Sequence, residues 1–398
     1  MMRSRQTIPT IVVLMAALPV IASCASAQPS SRAATNAAVG NQVGSVGGAA
    51  GKIGESRPVT KPGSGQLSHA SSGPVSSGPV SSTAPANSTI LSVAGTWALV
   101  QVNSTTQLPR LTPTIDTALA TPGIRGLSLR VPWSAISSSL SLVDAVRAIA
   151  TAHGSGFEVR FVAGIDTPPQ VFAGGANSIL NSAGQRIPLP WGAGSTPTHF
   201  APNTAFEAAY KSMVSQLAAY DIAHGIHELH LPWYSDQWAE LYLGPDVERA
   251  PGYSYQNWLT GHERLLQIAM TYAGPNLIVE FPLTGIGAGQ ADMDLSRYIM
   301  TTWGNWNQDM ILQENNLTAT APPQRGVSPW QFYQGKQMVG MGDYNWASVY
   351  QILLNSGAVT IEVYVTSFAP TLPHASVLRQ EINSFASAVQ KELKAGTP

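Results

Sequence analysis

The chain of 398 residues contains a single cysteine, Cys24, and few charged residues. One cysteine cannot form an intramolecular disulfide bond, so the fold does not depend on one. Only 11% of the residues are charged, the formal net charge is −1, and no Lys/Arg-rich stripe of the kind found in nucleic-acid-binding proteins is present. The sequence therefore disfavours nucleic acid as a partner.

Motifs for metal ions and phosphate cofactors are also lacking. No group of cysteine and histidine residues has the spacing of a zinc site, and no glycine-rich phosphate-binding loop follows a candidate strand. We therefore predict no metal site and no cofactor. A doubly wound open sheet, the main structural alternative, would normally carry such a loop after its first strand, so its absence disfavours that fold.

No apolar run is long enough for a comfortable membrane span. The first residues carry Arg3 and Arg5 and then an apolar run over residues 8–22, which is the pattern of an export signal. The run ends in V-I-A-S-C, which resembles the lipobox of bacterial lipoproteins. This resemblance implies that Cys24 becomes the lipidated N-terminus of an exported protein, anchored at the cell surface or in the periplasm. Cleavage of a general secretory signal near Ala27 is the alternative.

The segment after the signal has few large apolar side chains. It is rich in Ser, Gly, Pro and Ala, and it repeats S-S-G-P-V at 71–75 and 76–80. Such a segment buries too little apolar surface to offset its conformational entropy. The sequence thus predicts a signal peptide at 1–23, a disordered tether at 24–88 and a folded domain at 89–398, with the lipid anchor as the only membrane contact.

Within the folded domain, strand-like apolar runs alternate with segments of helical periodicity. The candidate strands are Thr96–Val102, Gly126–Trp133, Phe157–Ala163, Ile226–Trp233, Asn276–Leu283, Asp309–Asn316, Gly335–Gly340 and Val359–Val365. Helices are predicted at Ser141–His153, Asn203–His224, Ser254–Tyr272, Asp294–Trp303, Asn345–Leu354 and Ala375–Leu393. Eight strands that alternate with helices predict an α/β fold, the (β/α)8 TIM barrel.

Polar side chains interrupt several of these apolar runs. They are Arg130, Arg160, His230, Glu280, Gln337 and Glu362. A buried charge without a partner costs several kcal/mol, so we expect these groups to point into the barrel and to pair there. Two interpretations remain open at this point: a purely structural ion-pair network, or a network whose upper layer positions catalytic carboxylates.

The ends of the candidate strands carry carboxylates, carboxamides and aromatic rings. In α/β barrels the active site lies at the C-terminal edge of the strands. The residues that we expect to contact a ligand there are Arg130, Trp133, Asp166, His230, Trp233, Tyr234, Gln313, Asn315, Asn316, Glu362 and Tyr364. Together with 10 Trp and 12 Tyr in the chain, this set favours a carbohydrate substrate or ligand. Glycoside hydrolysis requires two carboxyl groups, one to protonate the leaving oxygen and one to attack or to activate water.

The order of the elements, and the Arg, Asp-Thr-Pro, Trp and Glu residues at strand ends, resemble the barrel glycoside hydrolases of the large retaining clan, which includes β-galactosidase-like and cellulase-like families. In that clan the acid/base lies in an Asn-Glu pair after the fourth strand, and the nucleophile ends the seventh. This chain has W-Y-S-D at 233–236, and Glu314 ends the sixth candidate strand. The strand count is therefore off by one, the site is non-standard, or activity has been lost.

On this basis Glu314 is the predicted nucleophile or general base. Glu240 is the predicted acid, with Asp236 as its rival. The alternative function, from another class, is a non-catalytic carbohydrate-binding or cell-envelope protein that keeps the barrel.

Overall fold

A computed structural model describes residues 88–235, 244–283, 294–295, 297–299, 302, 310–317, 333–338, 344–355 and 357–395. Its centre is a closed barrel of eight parallel strands that neighbour one another in chain order, with the last strand paired to the first. The strands are β1 Gly95–Gln101, β2 Ile124–Pro132, β3 Gly156–Val162, β4 Glu228–His230, β5 Ile278–Leu283, β6 Met310–Leu317, β7 Tyr333–Met338 and β8 Ala358–Tyr364. The predicted α/β barrel is confirmed.

All eight candidate strands are present, with shifted ends. β7 begins two residues before its predicted start at Gly335. β4 has only three residues, although an apolar run extends to Trp233. Pro232 has no backbone N–H to donate to a neighbouring strand, which accounts for the early end of β4.

Several barrel strands, β3 and β8 among them, alternate between an apolar and a polar face. In β3, Val159 and Phe161 belong to the hydrophobic core, while Glu158 and Arg160 alternate with them. Successive side chains of a strand point to opposite faces, so the apolar set packs outwards against the helices and the polar set lines the barrel interior. The same alternation separates Ile361 from Glu362 in β8. Most of the hydrophobic core therefore lies between strands and helices, and the barrel interior contains a buried cluster of polar side chains.

Six longer helices lie around the strands in the part of the chain that the structure describes. They are α1 Leu108–Leu119, α2 Ser141–Ala152, α3 Thr204–His224, α4 Tyr255–Ala273, α5 Trp346–Asn355 and α6 Ala375–Lys394. Shorter helical turns lie at Ser88–Val93, Thr105–Gln107, Trp133–Ile136, Gly164–Asp166, Pro169–Ala173, Pro245–Glu248 and Val365–Phe368. Of the predicted helix Asp294–Trp303, residues 294–295, 297–299 and 302 are helical and the others lie outside the described residues. No helix among the described residues is long and apolar enough to cross a membrane.

The ends of α3 and α4 follow from particular residues. Gly225 ends α3 with φ +67°, a left-handed conformation that glycine adopts without a steric penalty. Ser254 begins α4, and its side chain accepts a hydrogen bond from Asn257 N at 3.1 Å. Asn203 precedes α3, as predicted, but its side chain does not cap the helix. It bonds instead to backbone groups of Asn177 and Leu189.

The long loop between β3 and α3 is built on a two-stranded antiparallel hairpin, Ser178–Leu180 with Arg186–Pro188. Three hydrogen bonds join this loop to the segment before α4 and to the first turn of α4 itself. Ser182 N donates to Asp246 Oδ2 at 2.7 Å, and Trp191 Nε1 donates to Pro251 O at 2.9 Å. The third contact joins Asn257 Nδ2 to Thr196 O at 2.7 Å. The loop between β3 and α3 is therefore hydrogen-bonded to the chain around the start of α4.

Candidate active site at the C-terminal edge of the barrel

Four predicted site residues lie at or next to the C-terminal ends of barrel strands. They are Arg130 near the end of β2, Asp166 in the turn after β3, Asn315 on β6 and Tyr364 at the end of β8. The strands are parallel and close into one barrel, so these ends all surround the same opening. Arg130 is almost fully buried, whereas Asp166, Asn315 and Tyr364 are partly exposed. A ligand entering from this side meets a polar surface.

Beneath this surface, Arg160 is the centre of a buried hydrogen-bonded network. Its Nη2 contacts both Glu362 Oε2 and Gln313 Oε1, and its Nε donates to His230 Nδ1 at 2.9 Å. Gln313 Nε2 also donates to Glu362 Oε2 at 2.9 Å. Ser128 donates to the other carboxylate oxygen of Glu362. The network joins β2, β3, β4, β6 and β8, and it places Gln313, His230 and Glu362 of the predicted set together.

His230 is completely buried, and desolvation lowers its pKa well below the ordinary value. The positive charges of Arg160 and Arg130 lower it further. The ring is therefore neutral at physiological pH. Its Nδ1 lies 3.5 Å from Glu280 Oε1, and because the ring carries no charge this contact is not an ion pair.

Further carboxyl groups are buried lower in the barrel. Burial, and then the charge of Glu362, raises the pKa of Glu158 to about 8. Burial likewise raises the pKa of Glu280 to about 7, and burial together with Glu158 raises that of Glu228 well above its ordinary value. At neutral pH Glu158 and Glu228 thus hold protons, which avoids the cost of placing several carboxylates in one dry interior.

Three residues of the interior, Glu158, Glu228 and Ser128, were not among the predicted site residues. The signal was present, because Glu158 stands two residues before Arg160 and Glu228 two residues before His230. Residues two apart on a strand share a face. Of the polar side chains that were predicted to lie inside the barrel, Arg160, Glu280 and Glu362 are buried as expected, whereas the side chain of Gln337 is outside the described part of the chain.

Asp166 has an environment unlike that of the interior carboxyls. It lies in the turn Gly164–Asp166, where its backbone N–H donates to Ala163 O at 3.0 Å. Partial burial raises its pKa to about 6, and the positive charge of Arg130 opposes this shift. Near neutral pH this carboxyl exchanges between its acid and its ionised form while still reachable from solvent.

Three predicted ligand-binding aromatics pack in the core. Trp133 contacts Phe161 and Phe206 at centroid distances of 5.5 and 5.6 Å. Trp233 is fully buried and donates from Nε1 to Pro282 O at 2.7 Å. Tyr234 is 2% exposed and its ring centroid lies 4.4 Å from that of Phe206. All three belong to the buried hydrophobic core, so the prediction that they contact a ligand finds no support in their positions.

Glu314 lies on β6, with its backbone in register with Leu283 of β5 and Lys336 of β7. β6 is the sixth strand of the barrel, so the strand count is right and is not the reason for the departure from the retaining clan. The side chains of Glu314 and Asn316 are outside the described residues. So are Cys24, Asp236 and Glu240, whose predicted roles stay predictions.

Among the described residues, no group of three or more His, Cys, Asp or Glu side chains is arranged to hold a metal ion. The buried interior acids include Glu158 and Glu228, which hold protons at neutral pH, and Glu362, which pairs with Arg160. The chemistry that the described site offers is proton transfer, through Asp166, and hydrogen bonding, through Arg130, Asn315 and Tyr364.

No protein-family model matches the chain, and no curated protein matches it. Among solved structures it is similar to a β-glucanase from Saccharophagus degradans in complex with cellotetraose, at 10% identity and TM-score 0.40, over 76% of this chain and 88% of that one. It is also similar to a psychrophilic family 10 endo-β-1,4-xylanase, at 9% identity and TM-score 0.41, over 70% and 88%. A D-allulose 3-epimerase from Methylomonas sp. matches at 11% identity and TM-score 0.36, over 75% and 96%. Likenesses this distant carry no argument about activity, and the enzymes themselves differ in reaction.

Proposed function

We propose that this barrel is the glycoside-hydrolase-like domain of an exported, lipid-anchored protein that acts on carbohydrate by a two-carboxylate mechanism. The observation that supports this most is the end of β6. There a buried apolar strand continues into Gln313, Glu314 and Asn315 at the C-terminal edge of a closed barrel. A carboxylate between two carboxamides at that edge suits catalysis and sugar binding better than it suits stability.

The proposed roles follow from the chemistry of glycoside hydrolysis. Glu314 acts as nucleophile or as general base at the anomeric carbon, and an acid, Glu240 or Asp236, protonates the leaving oxygen. Asn315, Tyr364 and Arg130 bind hydroxyl groups of the sugar at the rim.

The buried network supports the site from below. Gln313 precedes Glu314 directly and is held from two sides, by Arg160 and by Glu362. Catalytic groups must be held within a fraction of an ångström of the productive geometry, and hydrogen bonds to the neighbouring scaffold supply that restraint. The same buried charges can therefore stabilise the barrel as a network of ion pairs and also hold the proposed catalytic carboxylate in position.

A second candidate function is carbohydrate binding without hydrolysis. The ends of β4 and β7 favour it, because neither carries the carboxylate that the retaining clan has at these strands. β4 continues into L-P-W-Y-S at 231–235, and β7 ends at Met338 before V-G-M-G. A barrel that has lost one catalytic carboxyl would still present the polar rim to a sugar.

A glycan screen on the mature chain tests the proposal. Polysaccharides and oligosaccharides of glucose, xylose, galactose and mannose are incubated with the protein, and new reducing ends are measured. Glu392→Gln, at an exposed carboxyl of α6, serves as the matched control for Glu314→Gln. Hydrolysis that Glu314→Gln abolishes and Glu392→Gln retains supports the proposal. Binding by calorimetry without hydrolysis supports the second candidate instead.

A further inference from the structure

Asp166 occupies a distinctive place among the acidic residues of this barrel. Among the carboxyl groups whose side chains the structure describes, it alone lies at the C-terminal end of a barrel strand and is partly exposed there. Glu362 and Glu280 are deeper, each 2% exposed. Glu207, on the first turn of α3, is held by both Nε and Nη2 of Arg264 at 2.7 and 2.6 Å.

The turn that carries Asp166 is fixed by its backbone. Gly164 adopts φ +62°, which places the chain in a left-handed conformation at the end of β3. The N–H groups of Asp166 and Thr167 then donate to Ala163 O and Gly164 O at 3.0 and 3.2 Å. Pro168 and Pro169 follow and restrict the next residues. The position of the carboxyl at the rim is therefore set by the local fold.

The surroundings of Asp166 combine two opposed effects. Partial removal from water favours its protonated form, and the nearby cation of Arg130 favours its ionised form. The balance puts its pKa at about 6. A catalytic acid works best when its pKa lies near the working pH, because it must both carry a proton and release it.

We propose that Asp166 is the proton donor of this site, a catalytic role that sequence analysis gave to Glu240 or Asp236. The proposal rests on the proposed glycoside hydrolysis and deepens it. Asp166 transfers its carboxyl proton to the glycosidic oxygen as the bond from the anomeric carbon to that oxygen breaks. The bonding electron pair stays on the oxygen, which leaves as a hydroxyl group, and the carboxylate that remains is stabilised by Arg130. Water supplies hydroxide to the anomeric carbon and returns a proton to Asp166.

Leaving-group dependence tests this role directly. An unsubstituted oligosaccharide has a strongly basic leaving oxygen and needs an acid, whereas a 2,4-dinitrophenyl glycoside of the same sugar leaves without protonation. Asp166→Asn should lower kcat/KM for the oligosaccharide by about 10²- to 10⁴-fold while kcat/KM for the dinitrophenyl glycoside changes less than about tenfold. Asp116→Asn, at a carboxylate on α1 that contacts His153 Nε2 at 2.9 Å, is the matched control and should change neither value.

The pH profile gives a second readout. For the oligosaccharide, kcat/KM should fall on the alkaline side with an apparent pKa of about 6. Arg130→Gln removes the cation that favours the ionised form, so it should move this alkaline fall to higher pH, whereas Arg130→Lys should leave it closer to that of the unaltered chain. If Asp166→Asn does not fold, Asp166→Glu keeps an ionisable acid and should retain the alkaline fall with reduced turnover.

The outcomes distinguish failure of the proposed function from failure of the Asp166 assignment. If the unaltered chain hydrolyses neither substrate, the proposed function itself fails and the acid role fails with it. Alternatively, the unaltered chain is active while Asp166→Asn loses activity on both substrates equally, or on neither. In that case the proposed function stands and the assignment of Asp166 is wrong. Loss confined to the oligosaccharide supports the assignment.

Discussion

Arg160 donates a hydrogen bond from Nε to Nδ1 of His230 at 2.9 Å. A guanidinium group has no acceptor, so Nδ1 of His230 must provide the lone pair. The ring is neutral, and its single proton is therefore on Nε2. Among the described residues, Nε2 has no hydrogen-bond partner. Arg160 thus fixes the tautomer of a buried histidine beneath the site.

The first prediction is that His230 remains the neutral Nε2–H tautomer across the physiological range. Desolvation and two neighbouring arginines lower its pKa, so the ring should not titrate between pH 5 and pH 8. Nitrogen-15 NMR of the imidazole groups checks this, with His230→Gln identifying the signal. A ring that titrates near its ordinary value, or a proton on Nδ1, would contradict the assignment.

The second prediction concerns stability and pH. Glu158 has a folded-state pKa of about 8 and Glu228 is also raised, whereas both have ordinary values in the unfolded chain. Between those values the folded protein binds more protons than the unfolded chain, so the free energy of unfolding falls as pH rises. His262, with a pKa lowered to about 4, acts in the opposite sense below about pH 6.5.

Urea unfolding between pH 7 and pH 9 tests the contribution of the carboxyl groups, since the buried His230 and His262, whose pKa values are lowered, are already neutral there. The free energy of unfolding should decrease across this window. Glu158→Gln should flatten the decrease, because the glutamine cannot ionise. Constant or rising stability in the unaltered chain would show that these acids are not protonated in the folded barrel.

The fold could be predicted from the sequence largely because apolar residues recur with a different spacing in strands than in helices. All eight strands were visible as apolar runs between helical segments. α1 was missed because Pro109 and Pro113 interrupt it, and proline usually argues against a helix. Pro109 is tolerated since it lies in the first turn, whose N–H groups have no partner within the helix.

The candidate site was less predictable, for a geometric reason. Neighbouring residues at the end of a strand point in opposite directions. A shift of one residue therefore decides whether an aromatic side chain packs outwards on a helix or faces the opening of the barrel. Trp233 and Tyr234 turn into the core, where His262 contacts both rings at centroid distances of 5.7 and 5.6 Å. Composition reveals that aromatics are present but does not reveal the direction in which each points.

The third prediction concerns the network. Glu362 receives hydrogen bonds from Arg160, Gln313 and Ser128 in an interior that is 0 to 2% exposed at these positions. Removing one partner of a buried ion pair costs about 3–5 kcal/mol, so Glu362→Gln should reduce the free energy of unfolding by about that amount. Its charge also raises the pKa of Glu158, so in Glu362→Gln that pKa should drop and the alkaline loss of stability should move to lower pH.

Urea unfolding of Glu362→Gln checks both effects, with Glu392→Gln as an exposed control that should stay within about 0.5 kcal/mol of the unaltered chain. Equal stability of the two variants would mean that Glu362 has no structural role. An unchanged alkaline transition would mean that Glu158 does not sense its charge.

The fourth prediction concerns export. Cys24 should carry a lipid and form the mature N-terminus, because the only cysteine of the chain ends a lipobox-like sequence. Metabolic labelling with a fatty acid should mark the protein, and Cys24→Ala should abolish the label. Ser23→Gly keeps a small residue before the cysteine and should retain it. Label that persists in Cys24→Ala would locate the lipid elsewhere, and an unlabelled mature chain that begins near Ala27 would favour a general secretory signal.

The fifth prediction concerns Glu314 and the central claim that this barrel hydrolyses carbohydrate. If Glu314 is catalytic, replacing its carboxylate by a carboxamide should remove the nucleophile or base while leaving the packing of β6 intact. If it is instead one half of a buried ion pair, the same change should cost about 3–5 kcal/mol of stability. Turnover and stability therefore separate the two roles.

The most direct measurement is to compare Glu314→Gln with the unaltered mature chain for both hydrolysis of the best substrate in the glycan screen and free energy of unfolding in urea. The account predicts loss of most turnover with a change in stability below about 1 kcal/mol. Turnover equal to that of the unaltered chain would contradict it, whether or not stability changes.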